Sequence, residues 1–320
     1  MIGPRVIDPN KPHVDISVVI PIFNEETNIV ELFKRLMVVL TATGKTFEVI
    51  FVDDGSQDQS WSILSKLYQE HKSIVRAVAF SRNFGHQLAL TAGFHHCRGE
   101  AAIVMDADLQ DPPEMIARFI QKWEEGYEVV YGIRKEREGE TFFKKFTALL
   151  FYKLIRASTA IDIPENVGDF YLLDRKILNI LNELNEHHRF IRGLVAWVGF
   201  RRIGIEYNRK ARFSGKSKYG IWRMVQFSLD AMTSFSFTPL RLVSWLGAFF
   251  SVLAFFSILL IIYLKIFTHE TIIGWSSLMA VVLFLGGIQL MAIGVIGEYI
   301  ARIGDDVKGR PLYAVRQSLE

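Results

Sequence analysis

Phe47-Glu-Val-Ile-Phe-Val-Asp-Asp54 and Ala101-Ala-Ile-Val-Met-Asp-Ala-Asp108 decide the fold of this 320-residue chain. Each is a short apolar run ending in a pair of carboxylates. Runs of this kind read as strands buried on both faces, as in a parallel sheet covered by helices. Side chains alternate along a strand, so Asp106 and Asp108 are expected to point the same way and converge on one ligand. In open α/β sheets ligands gather beyond the carboxyl ends of the strands. Two acidic strand ends therefore suggest a site for a hard divalent cation. Asp also opens turns and caps helices, and either pair alone fits that role as well. Both pairs together favour a site.

Further apolar runs begin at Ile16, Val75 and Val129. Between them lie stretches with helical spacing, such as Ile29, Leu32, Phe33, Leu36 and Leu40. The alternation predicts a mostly parallel sheet with helices on both faces. From Thr141 to about Phe237, Lys and Arg interleave with aromatic and aliphatic residues. Within it, Phe190, Ile191, Leu194, Val195 and Val198 form one helical stripe, flanked by Arg189, Arg192 and Trp197. That pattern suits a helix lying in a membrane interface, and taken alone it suits equally a helix packed on the sheet; the nearby apolar spans favour the interface. The stretch from Tyr219 to Phe237 is read as a second interfacial helix.

Half of the residues are apolar, and the mean hydropathy is +0.21. The excess lies near the C-terminus. Leu242 to Leu264 carries no charged residue, and Gly274 to Ile296 has Gln289 as its one strongly polar side chain. As a helix the first would span about 34 Å, against a hydrocarbon core of roughly 30 Å. The short linker, Lys265 to Ile273, predicts an antiparallel transmembrane hairpin. Lys216, Lys218, Arg223 and Arg241 precede it, and Arg302, Lys308, Arg310 and Arg316 follow it. The bias places both termini in the cytoplasm of a multi-pass inner-membrane protein. A net charge of +3 does not suggest nucleic acid. The single cysteine, Cys97, has no partner for an internal disulfide. Gly286, Gly287 and Gly294 on the second span make self-association plausible.

Four segments occur in order: Val18-Val-Ile-Pro-Ile-Phe-Asn-Glu-Glu26, Val52-Asp-Asp-Gly-Ser56, Met105-Asp-Ala-Asp-Leu-Gln-Asp-Pro-Pro113 and Arg212-Phe-Ser-Gly-Lys-Ser-Lys-Tyr219. With the two apolar spans, this set resembles the polyprenyl-phosphate glycosyltransferases of glycosyltransferase family 2, including GtrB-type bactoprenol glucosyltransferases and dolichyl-phosphate mannose synthases. The resemblance implies a GT-A fold, with a catalytic domain over 1–186, interfacial helices and a donor-covering loop over 187–238, the hairpin over 239–300 and a cytoplasmic tail over 301–320.

The same resemblance implies roles for single residues. Pro21, Phe23, Glu25 and Asp53 would hold the base and ribose of a nucleotide sugar, and Asp54 can instead only shape the Gly55 turn. Asp106, Asp108 and Gln110 would bind Mg²⁺ or Mn²⁺ between the diphosphate oxygens. Arg212, Lys216 and Lys218 would close over the donor phosphates. Arg134, Arg137, Lys144 and Lys145 would meet the acceptor phosphate, although Lys144 stands near a family arginine and lacks its fork. Asp169 matches the family's catalytic carboxylate. A phosphate monoester is already largely ionised at neutral pH, so Asp169 can equally orient the acceptor or stabilise positive charge on the sugar. Asn24 is expected to cap a helix, and Asp111-Pro112-Pro113 to set a turn.

The implied reaction is inverting transfer of a sugar, with UDP-glucose favoured as donor, to an undecaprenyl or dolichyl phosphate. Two other classes compete. A processive polysaccharide synthase would carry a Gln-x-x-Arg-Trp motif, which this chain lacks, and more spans. A membrane-tethered nucleotide-sugar binder would not need the full set of site residues.

Overall fold

The computed structural model describes residues 13–135, 167–208, 238–267 and 274–320. Eight strands form one sheet in the order β7-β5-β6-β4-β1-β2-β3-β8. The five expected runs are β1 (Ile16–Ile22), β2 (Phe47–Asp53), β3 (Val75–Phe80), β4 (Ala101–Val104) and β5 (Val129–Arg134). They are joined by β6 (Val167–Asp174), β7 (Arg202–Tyr207) and β8 (Val315–Leu319). β1 pairs in parallel with β2 and β4, β2 with β3, and β5 with β7. β6 runs antiparallel between β4 and β5, and β8 runs antiparallel along β3. The sheet is a GT-A-like mixed sheet with a parallel centre.

Helices cover both faces, which is why the central strands read as unbroken apolar runs. Val18, Ile20, Val49 and Phe51 face α1 (Ile29–Ala42), α2 (Ser60–Glu70) and α4 (Ile116–Glu124). Val19, Ile50, Val52 and Val78 face α3 (His86–His96), α5 (Arg175–Glu183) and α6 (Ile191–Val198). α3 packs so closely that a Cβ on Gly93 would fall 2.1 Å from Val19 Cγ1. The helix that was a candidate for the membrane interface is α6. It buries Ile191 and Leu194 in the core and leaves Trp197 exposed, so packing on the sheet prevails for this segment.

Two long helices follow, α7 (Thr238–Phe267) and α8 (Trp275–Lys308). Their 30 and 34 residues amount to roughly 45 and 51 Å. Phe249, Phe255, Phe256, Phe284 and Leu290 point outward, an apolar surface far larger than a water-soluble monomer tolerates. Among the described residues, Phe284–Lys308 is long and apolar enough to cross a membrane, and Val243–Ser257 is a shorter apolar stretch. Phe250 and Phe284 meet with ring centroids 5.4 Å apart. α8 runs on to Lys308, beyond the expected end of the second span, and stops at Gly309 in the left-handed conformation. There its Asp306 accepts the His187 backbone N–H at 2.9 Å, and Asp305 lies 3.2 Å from His188 Nε2. The chain then returns along the sheet edge as β8, so residues 315–319 of the expected tail add a strand. The Tyr219–Phe237 helix expectation lies outside the described residues.

Candidate active site

The carboxyl edge of the sheet is organised by two loops that brace each other. After β1, Asn24 takes a left-handed conformation, φ 54°, and its Oδ1 accepts the Gln57 N–H at 2.8 Å. Ser56 Oγ accepts from Asn24 N and Ser60 Oγ from Glu25 N, both at 3.0 Å. Asn24 is thus a loop clasp, and the residue before α1 is Asn28, whose amide donates to Glu25 Oε2 at 2.7 Å. Gly55 is required where it stands: its φ is 72°, and a Cβ would meet the Arg82 carbonyl carbon at 2.5 Å. Pro21 and Phe23 are half-buried at the start of this loop.

Asp53 and Asp54 diverge. Asp53 is fully buried, and its Oδ1 accepts the Ser56 N–H at 3.0 Å. Its Oδ2 is buried with no hydrogen-bond partner among the described residues. Asp54 accepts the backbone N–H groups of Phe84 at 2.7 Å and Gly85 at 3.0 Å, so it shapes the entry to α3. Burial pushes its carboxyl up to about 6, against those two N–H donors.

β4 ends at Val104, so strand alternation does not aim Asp106 and Asp108. Both stand in the turn that follows. Leu109 sits at φ 58°, a conformation that costs a bulky residue about 1–3 kcal/mol. Asp108 is buried, and its Oδ1 accepts the Gln110 N–H at 3.2 Å. Asp106 remains partly open to the cleft. Burial and the charges of Asp111, Asp169 and Asp108 outweigh nearby His86 and push its carboxyl up to about 6. A cation would relieve that crowding. Among the described residues, no three His, Cys, Asp or Glu side chains form a metal cage by themselves. The donor set fits Mg²⁺ or Mn²⁺ in the way such ions are commonly held, by one or two carboxylates together with substrate phosphates and water.

Asp169 on β6 stands at the centre. Arg192 Nε donates to its Oδ1 at 2.7 Å and Nη2 to its Oδ2 at 3.1 Å. His86 Nε2 lies 3.1 Å from the same Oδ2 and 3.8 Å from Asp106 Oδ1. Burial alone would raise Asp169; the Arg192 charge and the bonds from His86 and Arg192 outweigh it and hold the carboxyl far below the usual range. Burial also disfavours a charged His86, yet its bond to Asp169 and the charge of Asp106 prevail and raise its pKa. A carboxylate so fully occupied is a poor base. Arg192 also lines an open, largely apolar slot with Val129, Tyr131, Val167, Tyr171 and Val195.

Arg134, at the end of β5, donates to Tyr207 Oη at 3.3 Å and lies 3.8 Å from Asp111 Oδ2. Tyr207 Oη donates to Asp111 Oδ1 at 2.5 Å, so Asp111 is a buried anchor as well as a turn residue. The Arg134 guanidinium lies against Gly168 and would have to shift for a Cβ there. The structure thus brings Asp53, Asp106, Asp108, Arg134 and Asp169 to one edge. Arg137, Lys144, Lys145, Arg212, Lys216 and Lys218 lie outside the described residues. Sequence reading missed His86 and Arg192. His86 follows the β3 run at the same carboxyl edge, and that position was the available signal. Arg192 stands near the start of a stripe whose reading leans to the membrane interface, and nothing local points to Asp169.

Residues 17–181 match the family described as Glycosyl transferase family 2, and residues 238–303 match the GtrB C-terminal hairpin. An uncharacterized glycosyltransferase of Bacillus subtilis, YkcC, is 49% identical over 96% of this chain and 94% of its own length. An uncharacterized glycosyltransferase of Synechocystis, sll0501, is 46% identical over 94% of this chain and 95% of its own. The SfII prophage-derived bactoprenol glucosyl transferase of Shigella flexneri is 39% identical over 95% and 98%.

Proposed function

The chain belongs to glycosyltransferase family 2 and carries the GtrB C-terminal hairpin, and from that premise we propose that it transfers a hexose from a nucleotide sugar to a polyprenyl phosphate, with inversion at the anomeric carbon. The observation that carries this reading is positional. The acidic edge of the sheet lies in the same domain on which the end of the apolar helix α8 is seated, through Asp305 and Asp306. A soluble sugar donor and a lipid-borne acceptor can therefore meet. The small apolar slot beside Arg192 is read as a contact for the acceptor's first apolar carbons.

Pro21, Phe23, Glu25 and Asp53 hold the nucleoside. Asp106 and Asp108, with Gln110, would hold Mg²⁺ or Mn²⁺, which when bound offsets the negative charge of the leaving diphosphate. Asp169 does not remove a proton. The acceptor phosphate is already anionic, and Asp169, pinned by Arg192 and His86, presents fixed negative charge near the sugar carbon where positive charge develops. Arg134 receives the acceptor phosphate, joined by Arg137, Lys144 and Lys145, while Arg212, Lys216 and Lys218 cover the donor phosphates. UDP-glucose is the favoured donor, in line with the glucosyl transferases among the relatives. The basic residues flanking the hairpin orient the catalytic domain and both termini to the cytoplasm. Gly286, Gly287 and Gly294 leave an open face on α8 for self-association, since a Cβ at any of them meets nothing within 4 Å.

Transfer of radiolabelled sugar from nucleotide sugars to polyprenyl phosphate tests the reading. Wild type should label the lipid, and Asp108→Asn should lose nearly all labelling at ordinary Mg²⁺. Near-normal turnover by that variant contradicts the assignment. Long polymer as product would favour a synthase, and tight donor binding without transfer would favour a tethered binder.

A further inference from the structure

We propose that Arg316, on the C-terminal strand, completes a base-reading pair with Asp53, so that the site selects nucleotides whose base presents a ring N–H beside a carbonyl. This inference rests on the donor-site reading above and extends it to a residue far away in sequence.

The register of β8 singles Arg316 out. Ala77 pairs with Leu319, Val78 with Ser318 and Ala79 with Gln317, but Phe80 pairs with Val315. Arg316 is the extra residue of a β-bulge. Bulges interrupt a ladder and re-aim a side chain, and they recur beside active sites. On β3, Ala79 is paired with Asp53 on one side and Gln317 on the other, so only a methyl group stands in that row between β2 and β8. The Arg316 guanidinium reaches 4.0 Å from Asp53 Oδ2. That is too long for a hydrogen bond, and Oδ2 is a buried acceptor left without one among the described residues. A buried acceptor in that state is destabilising, so a ligand N–H that fills it is favoured.

The strand that carries Arg316 is firmly held. Tyr313 stacks on Phe80 at 4.8 Å, and its hydroxyl lies 2.9 Å from His95 Nδ1. At the other end Glu320 is clamped by Arg76 at 2.9 Å and His96 at 2.5 Å, and Tyr68 Oη donates to its carbonyl at 3.0 Å. A half-exposed arginine on an edge strand is thereby given a fixed origin.

The chemistry then defines the ligand. A carboxylate accepts only, and a guanidinium donates only. Side by side they match an edge with one N–H and one adjacent carbonyl oxygen. Uracil N3–H beside O4 has this pattern, as does guanine N1–H beside O6. Cytosine and adenine place a bare ring nitrogen where the carboxylate needs a donor, which leaves two acceptors facing each other.

The test is calorimetric titration of the full-length protein, in detergent with Mg²⁺, with UDP, GDP, CDP and ADP. Wild type should bind UDP or GDP at least about ten-fold more tightly than CDP and ADP. Arg316→Gln should weaken the preferred nucleotide about ten-fold and leave CDP and ADP unchanged, so that discrimination shrinks. Gln317→Ala, the neighbouring strand control, should change nothing. If Arg316→Gln does not fold, Arg316→Lys, which keeps the edge charge but loses the fork, is read the same way and should lose part of the discrimination. Retained discrimination, or an equal loss for all four nucleotides, overturns the role of Arg316 alone. A wild type that binds none of the four overturns the donor-site reading with it.

Discussion

Glu48, at the amino end of β2, and Asp53, at its carboxyl end, are both fully buried carboxylates on the same strand. Glu48 accepts from Ser17 Oγ and Arg98 N at 2.6 Å, from Arg98 Nε at 2.8 Å and from Arg76 Nη1 at 3.4 Å. Arg76 is itself spent on the His96 carbonyl and on Glu320. Both oxygens of Glu48 are in use. At the other end, Asp53 Oδ2 has no hydrogen-bond partner among the described residues, Asp106 is pushed up to about 6 by burial and its acidic neighbours, and Leu109 is held in a strained conformation. The residue types are alike and the states of completion are opposite. A closed network of buried charges holds a fold together, whereas an open one has capacity left for a ligand.

Substitutions that break one end and not the other sharpen this contrast. Asp169→Asn removes the fixed charge at the open end, and the transfer rate should fall about 10³-fold. The cost in urea unfolding should stay within about 1–2 kcal/mol, because the freed Arg192 and His86 can reach solvent. Glu48→Gln should do the reverse. The buried Arg76 keeps Glu320 and the half-buried Arg98 loses its carboxylate, so stability should drop by about 2–3 kcal/mol while kcat of the folded enzyme stays within two-fold or so. Arg192→Met should lower kcat about 10²-fold, with KM for the lipid rising as well, since Arg192 both fixes Asp169 and lines the slot.

Asp54→Asn gives the smallest effect and a signed one. A native carboxyl near 6, against about 3.8 unfolded, means that the folded state binds more protons between those values. Wild-type stability should therefore fall as pH rises from about 4 to 6 and then level off. Asp54→Asn keeps an acceptor for the Phe84 and Gly85 N–H groups. It should remove its share of that slope, leaving the share of Asp106, which is raised to the same value, and gain about 2 kcal/mol at pH 7 in urea unfolding. An unchanged slope would mean that another group carries it.

The parallel centre of the sheet was legible because a strand buried on both faces must be continuously apolar, and β1 to β5 are. The acidic strand ends were legible for the same reason, since each carboxylate terminates such a run. Strand alternation does not apply to Asp106 and Asp108, because β4 stops at Val104 and both stand in the turn that follows, next to a left-handed Leu109. β6, the antiparallel insertion that carries Asp169, and β8 at the far edge pair with partners distant in sequence. No local pattern announces such pairings. Arg192 illustrates the limit best. Its helical stripe fits a membrane surface as well as a sheet, and only the packing of Ile191 and Leu194 turns the guanidinium toward Asp169.

The most direct measurement is mass spectrometry of the lipid made when the purified protein is given polyprenyl phosphate, Mg²⁺ and a panel of nucleotide sugars. The open carboxyl edge, held at the membrane by α8, predicts a polyprenyl phosphate heavier by one hexose, with UDP-glucose the leading donor. Unmodified lipid from every nucleotide sugar in the panel, with the donor bound and the protein folded, would contradict it.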